Sequence, residues 1–470
     1  MDEPVCFKIK EEKDNEKIMG FASDFVWGAA TSAYQIEGTG KESGKGMNIW
    51  DVYTAEAGHI YGGHTGAAAC DHYHRFREDV AEMKKLGLKA YRFSIDWSRV
   101  LPEGRGKVNE AGIEFYSKLI DALLEAGIEP YITLYHWELP YALYQCGGWM
   151  NPEIVHWFGD YARLVAERFS DRVKHFFTLN EPQCFVGLGF LTGEHAPGVS
   201  APLRDTFVMA HHVLKAHGYA VQMLRQYGKQ PLIIGYAPTG SMCYPETESS
   251  ADIEAARQML FSMQEDDRNW TWNVAWWSDP VLLGHYPEEG MKRYEAYLPR
   301  ITEEDMRLIS EPIDVYGQNI YNGRCIRMGA EGKPEEVSRY EGFPRTAIGW
   351  PVTPECLYWG PKFLYERYGK PIYITENGLS CHDVVYLDGK VHDPNRIDFL
   401  ARYLKELKRV AGEIEVKGYF QWSLMDNFEW AKGYSERFGL IFVDYRTQER
   451  IWKDSAYWYQ KLIRTNGEEL

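Results

Sequence analysis

The chain alternates between short apolar runs and longer stretches in which apolar residues recur at every third or fourth position. Runs rich in Val, Ile, Phe, Tyr and Thr read as buried strands. Eight of them fall at Phe25–Ala30, Ala90–Ile95, Pro130–Tyr135, His175–Leu179, Leu232–Ala237, Ile313–Asn319, Ile372–Thr375 and Gly418–Ser423. Between them lie segments such as Tyr73–Leu86 (YHRFREDVAEMKKL) and Ile154–Phe169 (IVHWFGDYARLVAERF), whose spacing gives a helix one apolar face. Strand and helix alternating in this way predict an α/β fold, a single (β/α)8 TIM barrel. An open doubly wound sheet is the weaker alternative, because no G-x-G-x-x-G or Walker loop follows any strand. The two longest gaps contain Gly38–Cys70 and Pro238–Pro312, predicting insertions at the barrel mouth, on its C-terminal face. No linker, repeat or low-complexity tract interrupts residues 21–470, which read as one domain; residues 1–20 read as a charged extension without an assigned role.

Composition narrows the function classes. A net charge of −16 over 470 residues argues against nucleic acid or an anionic membrane as partner. No apolar run approaches the length of a membrane span. Eight cysteines without C-x-x-C spacing, and a charged start lacking an apolar segment, predict free thiols in a reducing cytoplasm. A homo-oligomer stays open. Sixteen Trp, 32 Tyr and 21 Phe exceed what the other features require. Core packing accounts for most of them, but an indole face also stacks on the apolar face of a sugar ring.

The strand ends carry the candidate chemistry. Phe176–Pro182 (FFTLNEP) is an apolar run stopped by a proline, which cannot donate to a ladder and so leaves Asn180 and Glu181 at the last rung. Pro371–Gly378 (PIYITENG) is again an apolar run ending in a glutamate, Glu376, beside an Asn and a breaker, Gly378. Burying a carboxylate is costly, and two strands that each deliver a glutamate to a barrel mouth are what a two-carboxylate active site requires. Gln35, Arg92, His136, Trp137, Asn319, Tyr321 and Trp422 reach the same face. Amides, hydroxyls and indoles suit a neutral polyhydroxylated ligand. No cofactor and no metal is expected: His72/His74 and His211/His212/His217 lack the HExxH pattern and lie on helices away from the strand ends.

Residues 21 to about 465 resemble family 1 of the glycoside hydrolases, the β-glucosidase family. WGAATSAYQIEG (Trp27–Gly38), YRFSIDWSR (Tyr91–Arg99), TLNEP (Thr178–Pro182), ITENG (Ile374–Gly378) and WSLMDNFEW (Trp422–Trp430) carry the resemblance. It implies a (β/α)8 barrel, with residues 21–470 as the catalytic domain. It further implies a retaining β-glycosidase that removes terminal non-reducing β-D-glucosyl residues from short β-glucosides by double displacement, with Glu181 as acid/base and Glu376 as nucleophile. Such chemistry needs the two carboxyl groups roughly 5 Å apart, and strands four and seven are expected to face each other across the mouth. Arg92 is expected to hold the Glu376 carboxylate low in pKa, and Tyr321 to donate to it, with Asn319 in the same catalytic set. Glu181, feeling the charge on Glu376, is expected to keep its proton.

By the same resemblance Gln35, His136, Asn180, Glu429 and Trp430 bind sugar hydroxyls, Trp422 forms a stacking floor, Trp350 carries the aglycone, and Phe438 joins this substrate-binding set. Glu429 is expected to act as a charged acceptor that repels a phosphate, favouring unphosphorylated sugars. β-Galactosidase, β-fucosidase and 6-phospho-β-glucosidase are alternatives within the family. A catalytically inactive sugar-binding protein and a metal-dependent barrel isomerase are alternatives outside it. Two motifs depart from the family pattern: His136–Pro140 reads HWELP rather than HWDLP, and Ile320 stands between Asn319 and Tyr321. The loop Tyr321–Ile348 matches nothing informative about specificity.

Overall fold

The computed structural model describes residues 20–38, 43–263 and 266–470. Apart from Gly20, the charged extension lies outside these residues. Eight parallel strands close into a barrel: β1 (Val26–Ala30), β2 (Ala90–Ser94), β3 (Glu129–Tyr135), β4 (His175–Asn180), β5 (Ile233–Ala237), β6 (Val315–Asn319), β7 (Ile372–Asn377) and β8 (Val416–Trp422). Neighbours around the ring are neighbours in sequence, and β1 closes it by pairing with both β2 and β8. All eight expected strands therefore lie in the barrel. Helices His72–Leu86 and Ile154–Phe169 fall where apolar periodicity puts them, and the first stops at Gly87, whose φ of 80° suits a residue without a Cβ.

The strands are apolar on both faces because both are covered. Outward side chains join the large core shared with the helices. Inward ones, among them Tyr131, Phe177, Tyr373 and Phe420, form a second aromatic core inside the barrel. The Tyr131 and Phe420 rings are 5.0 Å apart, and Phe177 meets Tyr373 edge-on at 6.4 Å. Gly235 and Gly317 make room for this filling: a Cβ on either would come within 3.0 Å of the Phe177 ring. The lower barrel is thus solid, and polar chemistry is confined to the C-terminal rim. The Arg92 guanidinium lies 5.5 Å from the Phe177 ring centroid, at the boundary between the two.

The expected insertions hold further elements. Met242–Pro245, after β5, pairs with Gly323–Met328, after β6, which pairs in turn with Pro334–Glu336. Sequence periodicity does not reveal this sheet, since its strands are short and come from separate loops. A second rim structure is electrostatic. Lys453 is fully buried, with Nζ 2.5 Å from Asp383 and 2.6 Å from Asp426; Arg396 meets Asp383 at 2.7 Å, and Arg437 meets Asp426 at 2.6 Å. Replacing one partner of a buried ion cluster leaves uncompensated charge. Lys453→Met is therefore expected to cost about 3 kcal/mol, read from denaturant unfolding; a loss below about 1 kcal/mol would show that the remaining arginines suffice.

The helical histidines have local partners. His72 Nδ1 is 2.7 Å from Asp79, His74 Nδ1 2.5 Å from Asp71, His211 Nδ1 3.0 Å from the Tyr286 hydroxyl, His212 Nδ1 2.8 Å from the Trp149 carbonyl, and His217 Nδ1 2.6 Å from the Thr178 hydroxyl. Among the described residues no cluster of His, Cys, Asp or Glu is arranged to hold a metal, and no helix is long and apolar enough to cross a membrane.

Candidate active site

β4 ends at Asn180, and Pro182 opens the short helix Pro182–Val186. Glu181 joins them in the left-handed region, φ 45° and ψ 67°. A non-glycine residue held there is under strain, and the turn sets the carboxylate on the cavity wall rather than in the ladder. Asn319 Nδ2 donates to Glu181 Oε1 at 2.8 Å and to Asn180 Oδ1 at 3.0 Å. Its own Oδ1 accepts from the Thr375 hydroxyl at 2.6 Å, which fixes the amide orientation. Glu376, within β7, accepts from Arg92 Nη1 at 2.8 Å on one oxygen and from the Tyr321 hydroxyl at 2.7 Å on the other. Arg92 is held in turn by Thr133 Oγ1 at 3.0 Å and Asn180 Oδ1 at 2.6 Å.

The strands bearing the two glutamates are three places apart around the ring, with β5 and β6 between them, so they do not stand opposite each other. Asn319, at the end of β6, fills the interval: it bonds Glu181, and its hydrogen bonding also acts on Glu376. Both carboxylates line one cavity of about 420 Å³.

Burial dominates the electrostatics. It pushes Glu181 up to about 7, helped by the charge on Glu376 and opposed by the Asn319 amide, the Cys184 thiol and Arg92. Burial also raises Glu376, against the opposing pull of Arg92 and Tyr321. The expectation that Arg92 brings Glu376 below the ordinary carboxylate range is thus corrected, since desolvation of a fully enclosed carboxyl outweighs one guanidinium. The asymmetry survives: Glu376 has a cation and a phenol, Glu181 an amide and a thiol. A proton shared by the pair rests on Glu181. Glu429 requires a second correction. Burial, with the charges of Glu376, Glu436 and Glu181, pushes it up to about 8, so near neutrality it carries a proton much of the time. Burial and Arg92 hold His136 far below the ordinary imidazole value, leaving its ring neutral.

His136, Trp350, Trp422, Glu429, Trp430 and Phe438 line the same cavity, as does Tyr321. Trp422 stacks on His136 at 5.7 Å, while Trp350 meets Tyr321 at 5.1 Å and Phe438 at 6.0 Å. Gln35, Arg92, Asn180 and Asn319 stand one layer behind. Gln35 Nε2 bonds the Phe428 carbonyl at 2.8 Å and Glu429 at 3.3 Å, and Asn180 Nδ2 lies 3.2 Å from His136 Nε2. Sequence reading missed the supports Thr133, Thr375 and Cys184, although Thr375 directly precedes Glu376. It also missed the lining residues His195, Trp272 and Lys432, which lie outside the quoted motifs.

The description "Glycosyl hydrolase family 1" matches residues 18–468. The chain belongs to glycosyl hydrolase family 1. This hydrolase is 45% identical over 455 residues to "Beta-glucosidase A" of Thermotoga maritima, covering 96% of this chain and 99% of that one. It is also 45% identical to the "1,4-beta-D-glucan glucohydrolase" of Thermotoga neapolitana, over 95% of this chain and 99% of the relative. Among solved structures, "Beta-glucosidase from Thermotoga maritima in complex with glucoimidazole" superposes with a TM-score of 0.86 at 44% identity, covering 95% of the hydrolase and 99% of that chain. The hydrolase has the same barrel, closed in the same strand order as its sequence predicts.

Proposed function

We propose that this glycosyl hydrolase is a retaining β-glucosidase acting on terminal non-reducing β-D-glucosyl residues of short β-glucosides. One observation carries the mechanism: two carboxyl groups share a cavity and the Asn319 amide, while only Glu376 has Arg92 and Tyr321. Glu376, as carboxylate, attacks the anomeric carbon from one face, and Glu181 gives its proton to the departing aglycone oxygen. Glu376 becomes a neutral ester, so the charge raising Glu181 disappears and its pKa falls. Glu181 then takes a proton from water as the water oxygen attacks the anomeric carbon. The ester bond breaks, glucose leaves with its original configuration, and both carboxyls return to their starting states.

His136, Glu429 and Trp430 take the sugar hydroxyls, with Gln35 and Asn180 behind them completing the set. Trp422 supplies the stacking face, and Trp350 with Phe438 the wall toward the aglycone. The names of the relatives support glucose. The Glu376 carboxylate, whose charge reaches Glu429, favours an unphosphorylated sugar, since a phosphate dianion would be repelled by it. Seven described cysteines are free thiols, which supports a reducing, cytoplasmic setting.

The test is the anomer first released from a nitrophenyl β-glucoside, followed by NMR: β-glucose is expected, and α-glucose would overturn the double displacement. On a nitrophenyl panel the glucoside is expected to exceed its 6-phosphate at least about 100-fold, a difference near 3 kcal/mol. The pH profile follows from the sign of the acid step. Glu181 must be protonated to act, so kcat/KM is expected to fall as pH rises through about 7 and to fall again in acid once Glu376 is neutralised.

A further inference from the structure

The cavity holds the carboxyls of Glu181, Glu376 and Glu429, of which Glu376 is the one left charged near neutrality, and the chain as a whole carries −16. Trp272, Trp350, Ile348 and Leu188 line the same cavity, and so does Lys432. Lys432 lies two residues beyond Trp430, in a turn fixed by three backbone bonds: Lys432 N to Glu429 O at 2.8 Å, Glu429 N to Gly433 O at 2.7 Å, and Gly433 N to Trp430 O at 3.0 Å. The Lys432 backbone is therefore anchored to the pair proposed to hold the sugar. Among the described residues its ammonium forms no ion pair.

Two neighbours show which way that charge acts. The His195 ring lines the cavity, feels the Lys432 ammonium, and is pushed down to about 3 by burial first and by Lys432 second. It is a neutral ring whose buried Nδ1 lacks a protein partner. Glu194 is the fourth carboxyl of the lining. Its charge reaches the Tyr53 hydroxyl, which donates to the Glu194 carbonyl at 3.1 Å, on a different element from Lys432. An anion held against the indoles would share the cavity with the lysine.

We propose that Lys432 is a specificity-determining residue that makes this enzyme favour β-glucosides whose aromatic aglycone carries a carboxylate. The inference rests on the β-glucosidase reading above. The indoles accept the aryl ring, and the ammonium attracts the anion and offsets its repulsion by the Glu376 carboxylate.

The experiment compares kcat/KM for 4-carboxyphenyl β-glucoside with that for its methyl ester. In Lys432→Gln the ratio of charged to neutral substrate is expected to drop about fivefold, and in Lys432→Glu further. In the wild-type enzyme 0.5 M salt is expected to lower the ratio by a similar factor, because a rim charge is screened. A ratio unmoved by both substitutions and by salt would overturn the proposal. Calorimetric binding of the corresponding 1-thio-β-glucosides reads the same ratio without turnover. Failure to hydrolyse even the neutral ester would strike the β-glucosidase reading, while the thio-glucoside ratio would still decide the role of Lys432.

Discussion

Glu376→Ala is expected to lower kcat on a nitrophenyl β-glucoside by about 10⁴-fold or more, the scale of losing a covalent nucleophile. The acid remains, but no group is left to form the glycosyl ester. Azide is small enough to enter where the carboxylate stood, and an aryl leaving group needs little help, so sodium azide is expected to restore turnover and give the α-glucosyl azide. The configuration is decisive because attack from the vacated face inverts the anomeric carbon once. A β-azide would mean that the attacking face is still occupied by a working nucleophile, and Glu376 would lose its role. The substitution also strands Arg92, whose Nη1 lies 2.8 Å from the carboxylate. Some loss of stability is expected from the unpaired buried cation, and Glu376→Gln, which keeps the volume, separates that loss from the loss of chemistry.

Glu181→Gln is expected to divide substrates by leaving group. Cellobiose and alkyl glucosides need a proton on the departing oxygen, and their kcat/KM is expected to fall about 10³-fold, within the usual range for general acid catalysis. A dinitrophenyl glucoside departs unaided and is expected to lose less than about tenfold in the same constant. Its turnover then stalls at the ester, because no base is left to activate water. Azide is expected to relieve the stall and give the β-glucosyl azide, the opposite anomer from the Glu376 variant. The fall in kcat/KM above pH 7 is expected to vanish, since the group pushed up to about 7 is gone. Equal losses for alkyl and dinitrophenyl substrates would remove Glu181 from the acid role.

The corrections show how distance along the chain limits inference. The run from Phe176 to Asn180 is buried whatever surrounds it, so strand β4 was readable from periodicity. The left-handed turn at Glu181 was not, because it depends on where the helix opened by Pro182 packs. Arg92 could be placed near Glu376 by the family resemblance, from a position within β2. That burial would outweigh Arg92 and leave Glu376 raised could not, because desolvation is set by every atom around the carboxyl. Glu429 shows the same effect: its carboxyl was legible in the motif, and its shift to about 8 depends on burial first and then on Glu376, Glu436 and Glu181, which come from separate parts of the chain.

The eight alternating strands and helices, the barrel and the two glutamates at strand ends were determined by the sequence alone, because apolar periodicity and a strand breaker, Pro182 after one glutamate and Gly378 after the other, act over a few residues. The tertiary structure decided that β4 and β7 are bridged through Asn319 on β6 rather than opposed, that the Tyr321–Ile348 loop contributes two strands to a small sheet, and that Lys432 lines the same cavity as Trp272 and Trp350. Each of these depends on loops brought together by closing the ring, and a charge or hydroxyl acquires its role only from the neighbours that closure places within a few ångströms.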